Sequence, residues 1–187
     1  MRERMRYLLW IILAAALLLA NVVVAGWTEI TDLRRAREWR VTQAGKAGAE
    51  LRGVHVRVDQ VRAGRAPSQP ERALVLVRLA LRGPEAARQG WAGCDVSLRA
   101  AADRVWLRLI SADTEGAVRV LSRDGENKGR CNPIPYDAPP DGQEILSDQL
   151  FLVPVELLKG ARLRVSAGGT WPEALEFAVT PVLRDLF

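Results

Sequence analysis

The sequence predicts an all-β protein whose strands form an antiparallel sandwich, preceded by one N-terminal transmembrane helix. Three observations predict this class. An unbroken apolar run extends from Leu8 to Ala20. After residue 50, hydrophobic residues alternate with polar ones in short segments, which is the period of a half-buried strand. Gly, Pro and Asp-Gly sequences separate these segments and are typical of turns.

Residues 1–27 are predicted to form a cytoplasmic tip and a membrane anchor. One helix from Tyr7 to Trp27 would be about 30 Å long, which matches the hydrocarbon thickness of a bilayer. Aromatic residues stand at both ends of this span, where amphipathic rings favour the headgroup region. The alternative is a signal peptide cleaved at Gly26, although the apolar run is longer than the usual core of roughly 7 to 15 residues.

The orientation of the anchor depends on more than its arginines, because these lie on both sides of the apolar run. Three arginines precede the run directly, whereas Glu29 and Asp32 come first on the other side. We therefore expect a single-pass protein of the cell membrane, with a cytoplasmic N-terminus and a periplasmic or extracellular C-terminal domain. Within the anchor, Ala16 and Ala20 form a small-xxx-small step beside Asn21, and this face could pack against another transmembrane helix.

Residues 28–50 are polar and charged and contain Gly45 and Gly48. They are predicted to form a short juxtamembrane helix, capped by Thr28 or Thr31, and then a flexible linker. The segment would either touch lipid headgroups with its arginines or form a solvated stalk. The remaining residues, 51–187, are enough for one extracytoplasmic domain with its own core.

Strands are predicted for eight segments of this domain. These are residues 54–58, 73–81, 95–99, 104–110, 117–122, 149–153, 161–165 and 175–180. About eight short strands favour a sandwich or a small barrel over a parallel α/β sheet. Between two of the strands, Pro154 is placed to start and Gly160 to end a single helical turn, which would pack Leu157 or Leu158 over an edge of the core.

The two cysteines of the sequence, Cys94 and Cys131, are predicted to form a disulfide. An even pair in an extracytoplasmic domain lies in an oxidising compartment, where such bonds persist. Two buried thiols are the alternative. Two cysteines and one histidine do not provide a set of metal ligands, so we expect no metal and no cofactor.

The segment FLVPVELLKGARLRV, residues 151–165, resembles the end of the telokin-like, immunoglobulin-like domains found behind single anchors in many bacterial envelope proteins. The strand pattern is similar over residues 51–181. The resemblance implies an immunoglobulin-like sandwich outside the membrane. It implies no catalytic residues, because that family shares none. The sequence departs from the family because no Gly-rich linker follows the anchor.

Catalytic motifs are absent from the sequence, and we expect no enzyme. His55, the only histidine, alternates with valines and is expected on the polar face of a strand. There is no Gly-x-Ser-x-Gly elbow for nucleophilic hydrolysis. Residues 166–170 contain glycines but lack the lysine of a phosphate-binding loop. The acidic residues at 113–115 and 124–127 lack the spacing of a calcium-binding loop, and Asp-Gly favours a turn.

Candidate binding residues lie in loops. Residues 123–144 are long for a loop without secondary structure, and such loops are often functional. The candidates in this loop are Asn132, Pro133, Tyr136 and Asp137. Trp91 and Trp171, each next to Gly or Pro, could form an exposed pair that stacks on sugar rings, whereas Trp106 is expected in the core. The formal net charge of +5 has mixed signs along the chain, so we expect no binding to nucleic acid.

These observations favour a non-catalytic accessory or scaffold subunit that acts through protein–protein binding. Its partners would be the lipid bilayer and a membrane protein complex. The alternative is a glycan- or lipid-binding envelope module, including a bridge component of envelope transport. That module would use the loop at 123–144 or the loop tryptophans.

Overall fold

The structure is a computed structural model in which two compact units are present, Met1–Arg37 and Glu38–Phe187. The first unit contains helix α1 (Arg2–Arg35), and the second contains all the strands that the structure describes. The structure describes residues 2–35, 40–66, 69–91, 93–100, 104–110, 114–129 and 141–184.

Helix α1 has 34 residues and extends beyond both ends of the predicted anchor. The prediction of a separate helix capped by Thr28 or Thr31 is wrong, because α1 continues through both residues to Arg35. No proline interrupts this segment, and its charged residues are compatible with a helix. Within the residues that the structure describes, no helix is long and apolar enough to cross a membrane.

The second unit is a β-sandwich of two five-stranded sheets, which confirms the predicted sandwich. The first sheet has the order β1 (Arg40–Ala44), β9 (Glu173–Ala178), β8 (Arg162–Ser166), β5 (Asp95–Arg99) and β6 (Val105–Leu107). The second has the order β10 (Leu183–Arg184), β3 (Val54–Ala66), β4 (Gln69–Arg82) and β7 (Glu144–Pro154), and β2 (Ala49–Leu51) pairs with β3.

One hydrophobic core lies between the sheets and takes alternate residues from each strand. Val75, Val77 and Leu79 of β4 are fully buried, as are Leu163 and Val165 of β8. This alternation is the reason that the period of two in the sequence identifies the strands. A smaller apolar cluster on the opposite face of the second sheet joins it to helix α3 (Thr114–Leu121).

The sequence predicts seven of the described strands at their observed places. β5 has the predicted bounds, whereas β3 and β4 continue beyond the predicted segments. The predicted turn is also present. A 3-10 helix at Val155–Leu157 follows Pro154, Gly160 has a φ of 79°, and Leu158 is buried in the core.

The prediction of a strand at 117–122 is wrong, because these residues belong to α3. Val118 and Leu121 are three positions apart and both pack on the second sheet, while Val120 is 53% exposed. Two valines two residues apart fit a short strand or one turn of helix equally well. Buried residues at a spacing of three, with Glu115 in the first turn, favour the helix.

The prediction of a linker up to residue 50 is also wrong, because Arg40–Ala44 and Ala49–Leu51 form β1 and β2. β1 runs parallel to β9, and β10 runs parallel to β3, so the two sheets are mixed rather than wholly antiparallel. β1 is an edge strand with mainly exposed or half-buried side chains. It obtains its backbone hydrogen bonds from β9, and its polar sequence gives no alternation signal.

Candidate functional site

Helix α1 exposes a continuous apolar surface. Its exposed large side chains include Ile11, Ile12 and Leu13, which are consecutive, so they point in three directions about 100° apart. Ala16, Ala20 and Asn21, which the sequence predicts as a packing face, are exposed as well. Their role in packing stays a prediction.

A cavity of about 280 Å³ lies in the second unit, beside α3 and the edge strand β7. Two chain segments pair with the edge of β7 and form walls of the cavity. The Leu109 N–H donates to the Leu150 carbonyl (2.8 Å), and the Asp148 N–H donates to the Gly129 carbonyl (2.7 Å). The lining consists of Arg108, Leu109, Thr114, Glu115, Val118, Asn127, Gly129, Asp148, Gln149 and Leu150.

A buried ion pair stands at the wall of this cavity. Arg78 of β4 and Asp148 of β7 are opposite each other in the sheet register, and their side chains are 3% and 0% exposed. The guanidinium donates from Nε to Oδ1 (2.7 Å) and from Nη2 to Oδ2 (2.9 Å). The Lys128 backbone N–H also donates to Oδ2 (2.8 Å), so the Asp148 carboxylate is fully engaged by these groups.

Arg78 also binds the loop that follows α3. Its Nη1 donates to Asp124 (2.8 Å), and its Nη2 donates to the Glu126 carbonyl (3.0 Å). The hydrogen bond to Asp148 raises the pKa of Arg78 further, against the effect of burial. The bond from Arg78, with the Glu126 N–H, holds the pKa of Asp124 well below its usual range. Asp124 therefore has a structural role in this turn, in agreement with the turn expected at Asp-Gly.

Among the residues that the structure describes, two that line the cavity each have a buried polar atom without a hydrogen-bond partner. Gln149 lines the cavity and is 1% exposed, and its Nε2 donates to Ser147 (2.9 Å) while its Oε1 has no partner. Arg108 also lines the cavity, and its buried Nη1 has no partner. Gln149 pairs with Val77 in the sheet register, so its side chain faces the main core rather than α3, and a buried water would pair either atom.

An open groove of about 490 Å³ contains His55, and its charged residues include Glu50, Arg82 and Asp141. His55 is exposed, as predicted, and its Nε2 lies 3.1 Å from the Ala47 carbonyl. The Asp141 carboxylate accepts the Glu85 N–H (2.7 Å) at the start of helix α2 (Glu85–Gln89). Two of the groove's polar groups are thus used for local structure rather than aimed at a ligand.

Trp91 and Trp171 do not form the predicted exposed pair. Trp91, in the turn that follows α2, is fully buried in the core. Trp171 is 37% exposed, follows the 3-10 helix at Gly168–Thr170, and donates from Nε1 to the Ser166 hydroxyl (3.3 Å). Trp106 packs partly against the core, with the Arg104 guanidinium 5.8 Å from its ring centroid.

Five of the remaining predicted site residues lie outside the described residues. These are Cys131, Asn132, Pro133, Tyr136 and Asp137. Cys94 is fully buried and is not a free thiol, but its pairing with Cys131 stays a prediction. Among the described residues, no group of three or more His, Cys, Asp or Glu side chains is arranged to hold a metal ion.

A second buried charge lies on the outer face of the first sheet. Glu176 of β9 is 1% exposed and accepts from Gln43 of β1 (2.9 Å) and Arg164 of β8 (2.8 Å). Burial raises the pKa of Glu176, but the bonds from Gln43 and Arg164 and the charge of Arg162 outweigh it and lower the pKa. This ladder joins three neighbouring strands and serves the structure of the sheet.

No protein-family profile matches the sequence, and no curated protein is similar to it in sequence. Four solved structures match the chain, and three of them are an uncharacterised, a conserved hypothetical and a yjhA protein. An uncharacterised β-sandwich protein from Clostridium difficile 630 has 5% identity and a TM-score of 0.44, over 75% of this chain and 95% of that one. A conserved hypothetical protein from Bacillus anthracis has 12% identity and a TM-score of 0.42, over 70% and 93%.

The third is the yjhA protein from Bacillus subtilis, with 8% identity and a TM-score of 0.40, over 73% of this chain and 98% of that one. Similarity at this level carries no information on function. The β-sandwich implied by the telokin-like resemblance is present in the protein, but the comparisons do not assign it to that family.

The sequence pattern did not predict the cavity, but it contained a signal for the buried ion pair at the cavity wall. Arg78 interrupts the apolar segment ALVLVRLAL, and Asp148 directly precedes the next apolar strand segment. A lone charge in each of two apolar strands indicates a buried ion pair, because an unpaired charge would be too costly to bury. The positions of Arg108 and Gln149 around the cavity depend on the tertiary fold and give no local signal.

Proposed function

We propose that the protein is a non-catalytic accessory or scaffold subunit of a membrane protein complex in the cell envelope. In this proposal the apolar run that begins at Leu8 is embedded in the bilayer as a single span with a cytoplasmic N-terminus, although the described residues of α1 alone do not form a helix long and apolar enough to cross it. The immunoglobulin-like sandwich lies on the periplasmic or extracellular side, where a Cys94–Cys131 disulfide would persist. The sandwich binds another subunit.

The apolar surface of α1 carries this proposal. A helix that is apolar on all sides is stable when lipid or protein surrounds it. The exposed side chains of Leu17, Leu18, Leu19 and Ala20 point in four directions around the helix, and Val22 and Val23 continue this surface. Soluble monomers rarely expose apolar patches of more than a few hundred Å². The Asn21 amide in this surface can hydrogen-bond to a polar group of a neighbouring helix.

Membrane fractionation of the full chain tests the first part of the proposal. The wild-type protein should stay with the membrane in alkaline carbonate. Leu18→Arg with Leu19→Arg should move it to the soluble fraction, because two charges at the centre of a span cost roughly 5 to 7 kcal/mol. Leu107→Arg, at an equally exposed leucine of the sandwich, is the matched control and should not change the result. Release of the wild-type protein by carbonate would contradict the anchor.

Crosslinking in native membranes tests the second part. The full chain, purified in mild detergent, should carry a crosslinked partner in a fixed ratio. Asn21→Leu should reduce this yield if the α1 surface contacts the partner, whereas Val22→Leu is the matched control on the next position. Recovery of the wild-type protein alone, without any crosslinked partner, would exclude the accessory role. A mature protein that begins at Gly26 would instead support the signal-peptide alternative.

A further inference from the structure

We propose that three arginines on the outer face of the second sheet form a binding site for a phosphate group. They are Arg62 of β3, Arg123 of the loop after α3, and Arg184 of β10. The proposal does not depend on the membrane role of the protein. Two observations carry it: the fold brings the three side chains together, and among the described residues no acidic side chain forms an ion pair with them.

The register of β10 against β3 brings Arg62 and Arg184 together. Ala63 and Leu183 are paired, and both pack in the main core. Arg62 and Arg184 are their direct neighbours in the two strands, so both arginines point to the opposite face of the sheet. Arg184 pairs with Gly64, which has no side chain to separate the two arginines. From strand spacing and rise, their Cα atoms are roughly 8 Å apart.

Helix α3 and its loop bring Arg123 to the same place. Arg62 donates from Nη1 to the carbonyl of Leu121, the last residue of α3 (3.4 Å). Two residues later, the Arg123 backbone N–H donates to Oε1 of Gln60 (3.2 Å). Gln60 lies two residues before Arg62 in β3 and therefore shares its face of the sheet. The loop thus holds Arg123 beside Arg62.

The three positive charges repel one another. Burial lowers the pKa of Arg62, and the charges of Arg184 and Arg123 lower it further, whereas no carboxylate of the described residues raises it. Arginine is cationic at neutral pH in spite of such a shift. The C-terminal end of α3 contributes only about half a negative charge, so an excess of roughly two and a half positive charges remains.

The carboxylates next to this cluster in sequence have other partners. Asp59 binds Arg57 (2.8 Å), and Asp124 binds the buried Arg78 (2.8 Å). The amide of Gln60 adds no negative group either. Its Oε1 is used by the loop, and its buried Nε2 is a donor without a partner among the described residues. An added anion would therefore relieve the repulsion between the arginines.

The number of arginines favours a phosphate group over a carboxylate. A phosphate monoester carries about −1.5 to −2 charges at neutral pH and has three acceptor oxygens. Guanidinium groups bind such oxygens in pairs, with matching geometry. A carboxylate has one charge and two oxygens, so it cannot engage three arginines equally well. A free phosphate ester and a lipid headgroup with a terminal phosphate both present the required group.

Calorimetric titration of the full chain in non-ionic detergent, at constant ionic strength, tests the proposal. The probes are inorganic phosphate, glycerol 1-phosphate and dihexanoyl phosphatidic acid. At least one of them should bind saturably, and acetate should bind at least tenfold more weakly than the best of them. Tenfold tighter binding of the phosphatidic acid than of the other two would identify a lipid headgroup, whereas similar affinities would identify a free phosphate ester. Dihexanoyl phosphatidylcholine, which lacks a terminal phosphate, should not bind.

Variants locate the binding at the arginines. Arg123→Gln and Arg184→Gln each remove one charge from an exposed position, so both proteins should fold, and each should lower the affinity at least fivefold. Arg82→Gln is the matched control, because Arg82 is exposed on the same face of the sheet. It lies six residues along β4 from Leu76, the residue opposite Arg62, which is roughly 20 Å away. This variant should leave the affinity unchanged.

Three results would overturn the proposal. One is the absence of saturable binding of every phosphate probe up to about 10 mM, a concentration at which even a weak specific site would be filled. Another is binding of acetate as tight as that of the best phosphate probe. The last is an affinity that stays unchanged in both Arg123→Gln and Arg184→Gln, or falls equally in Arg82→Gln, because the probe would then respond only to the overall charge of the protein.

Discussion

Replacement of Arg78 by methionine should be among the most destabilising single changes in the sandwich. Methionine keeps much of the side-chain volume but removes the guanidinium. The Asp148 carboxylate, which is 0% exposed, then retains the Lys128 N–H and loses its two bonds to arginine. Breaking a buried pair from one side costs about 3 to 5 kcal/mol. The folded-to-unfolded ratio should therefore fall by about two to four orders of magnitude.

Urea unfolding followed by circular dichroism measures this change, and the midpoint should fall without a change in slope. Arg57→Met is the matched control. Arg57 lies on neighbouring β3 and pairs with Asp59 and Glu144 at 2.8 Å each, but its side chain is 34% exposed. Surface pairs of this kind contribute about 0 to 1 kcal/mol. The bond to Glu144, with that to Asp59, raises the pKa of Arg57, so the pair is formed at neutral pH.

The double variant Arg78→Met with Asp148→Leu separates burial of a lone charge from loss of packing. With both charges removed, no buried ion is left uncompensated, so most of the lost stability should return. A loss of less than about 1 kcal/mol in Arg78→Met would refute the reasoning, because Asp148 would then be hydrated after the change. A double variant as unstable as the single one would attribute the loss to packing.

Three further predictions concern other parts of the sandwich. Gly169→Ala should lower the melting temperature by several degrees, because its Cβ would lie 2.8 Å from the Cα of another glycine, whereas Gly168→Ala has open space and should not. Val118→Ala should cost about 1 to 3 kcal/mol in urea unfolding, and Val120→Ala should cost less than about 0.5, because only the first is buried. Glu176→Gln should flatten the pH dependence of stability below about pH 5. The lowered pKa of Glu176 makes its contribution full above its unfolded pKa, and that contribution is lost as acid protonates it. An equal acid sensitivity in both proteins would contradict this.

The central strands could be predicted because their burial is decided by local alternation. In β3 and β4, every second residue faces the same core, so the pattern in the sequence is the pattern in the fold. The turn at Pro154 and Gly160 could be predicted for a similar reason. Proline favours the start of a helical turn, and glycine allows the positive φ that ends it.

The elements that the sequence did not predict depend on distant partners. β1 exists because β9, more than 120 residues later, offers a free edge. Helix α3 packs on Leu76 and Leu150, and no short window of sequence contains this contact. The cavity arises where α3, the segment after β6 and β7 meet, so its lining comes from four separate stretches of chain. The secondary-structure propensity and the residue spacing of a short segment carry no information on such long-range contacts.

The irregular pairing of β3 has a consequence for how the protein avoids aggregation. β2 covers one end of the outer edge of β3 up to Val56, and β10 covers it at Ala63 and Gly64. Between them, the register against β4 shifts at Asp59, which is the extra residue of a bulge. A bulge twists an edge and puts a charge where a foreign strand would have to lie flat. The uncovered stretch of this sheet is therefore a poor template for fibril growth.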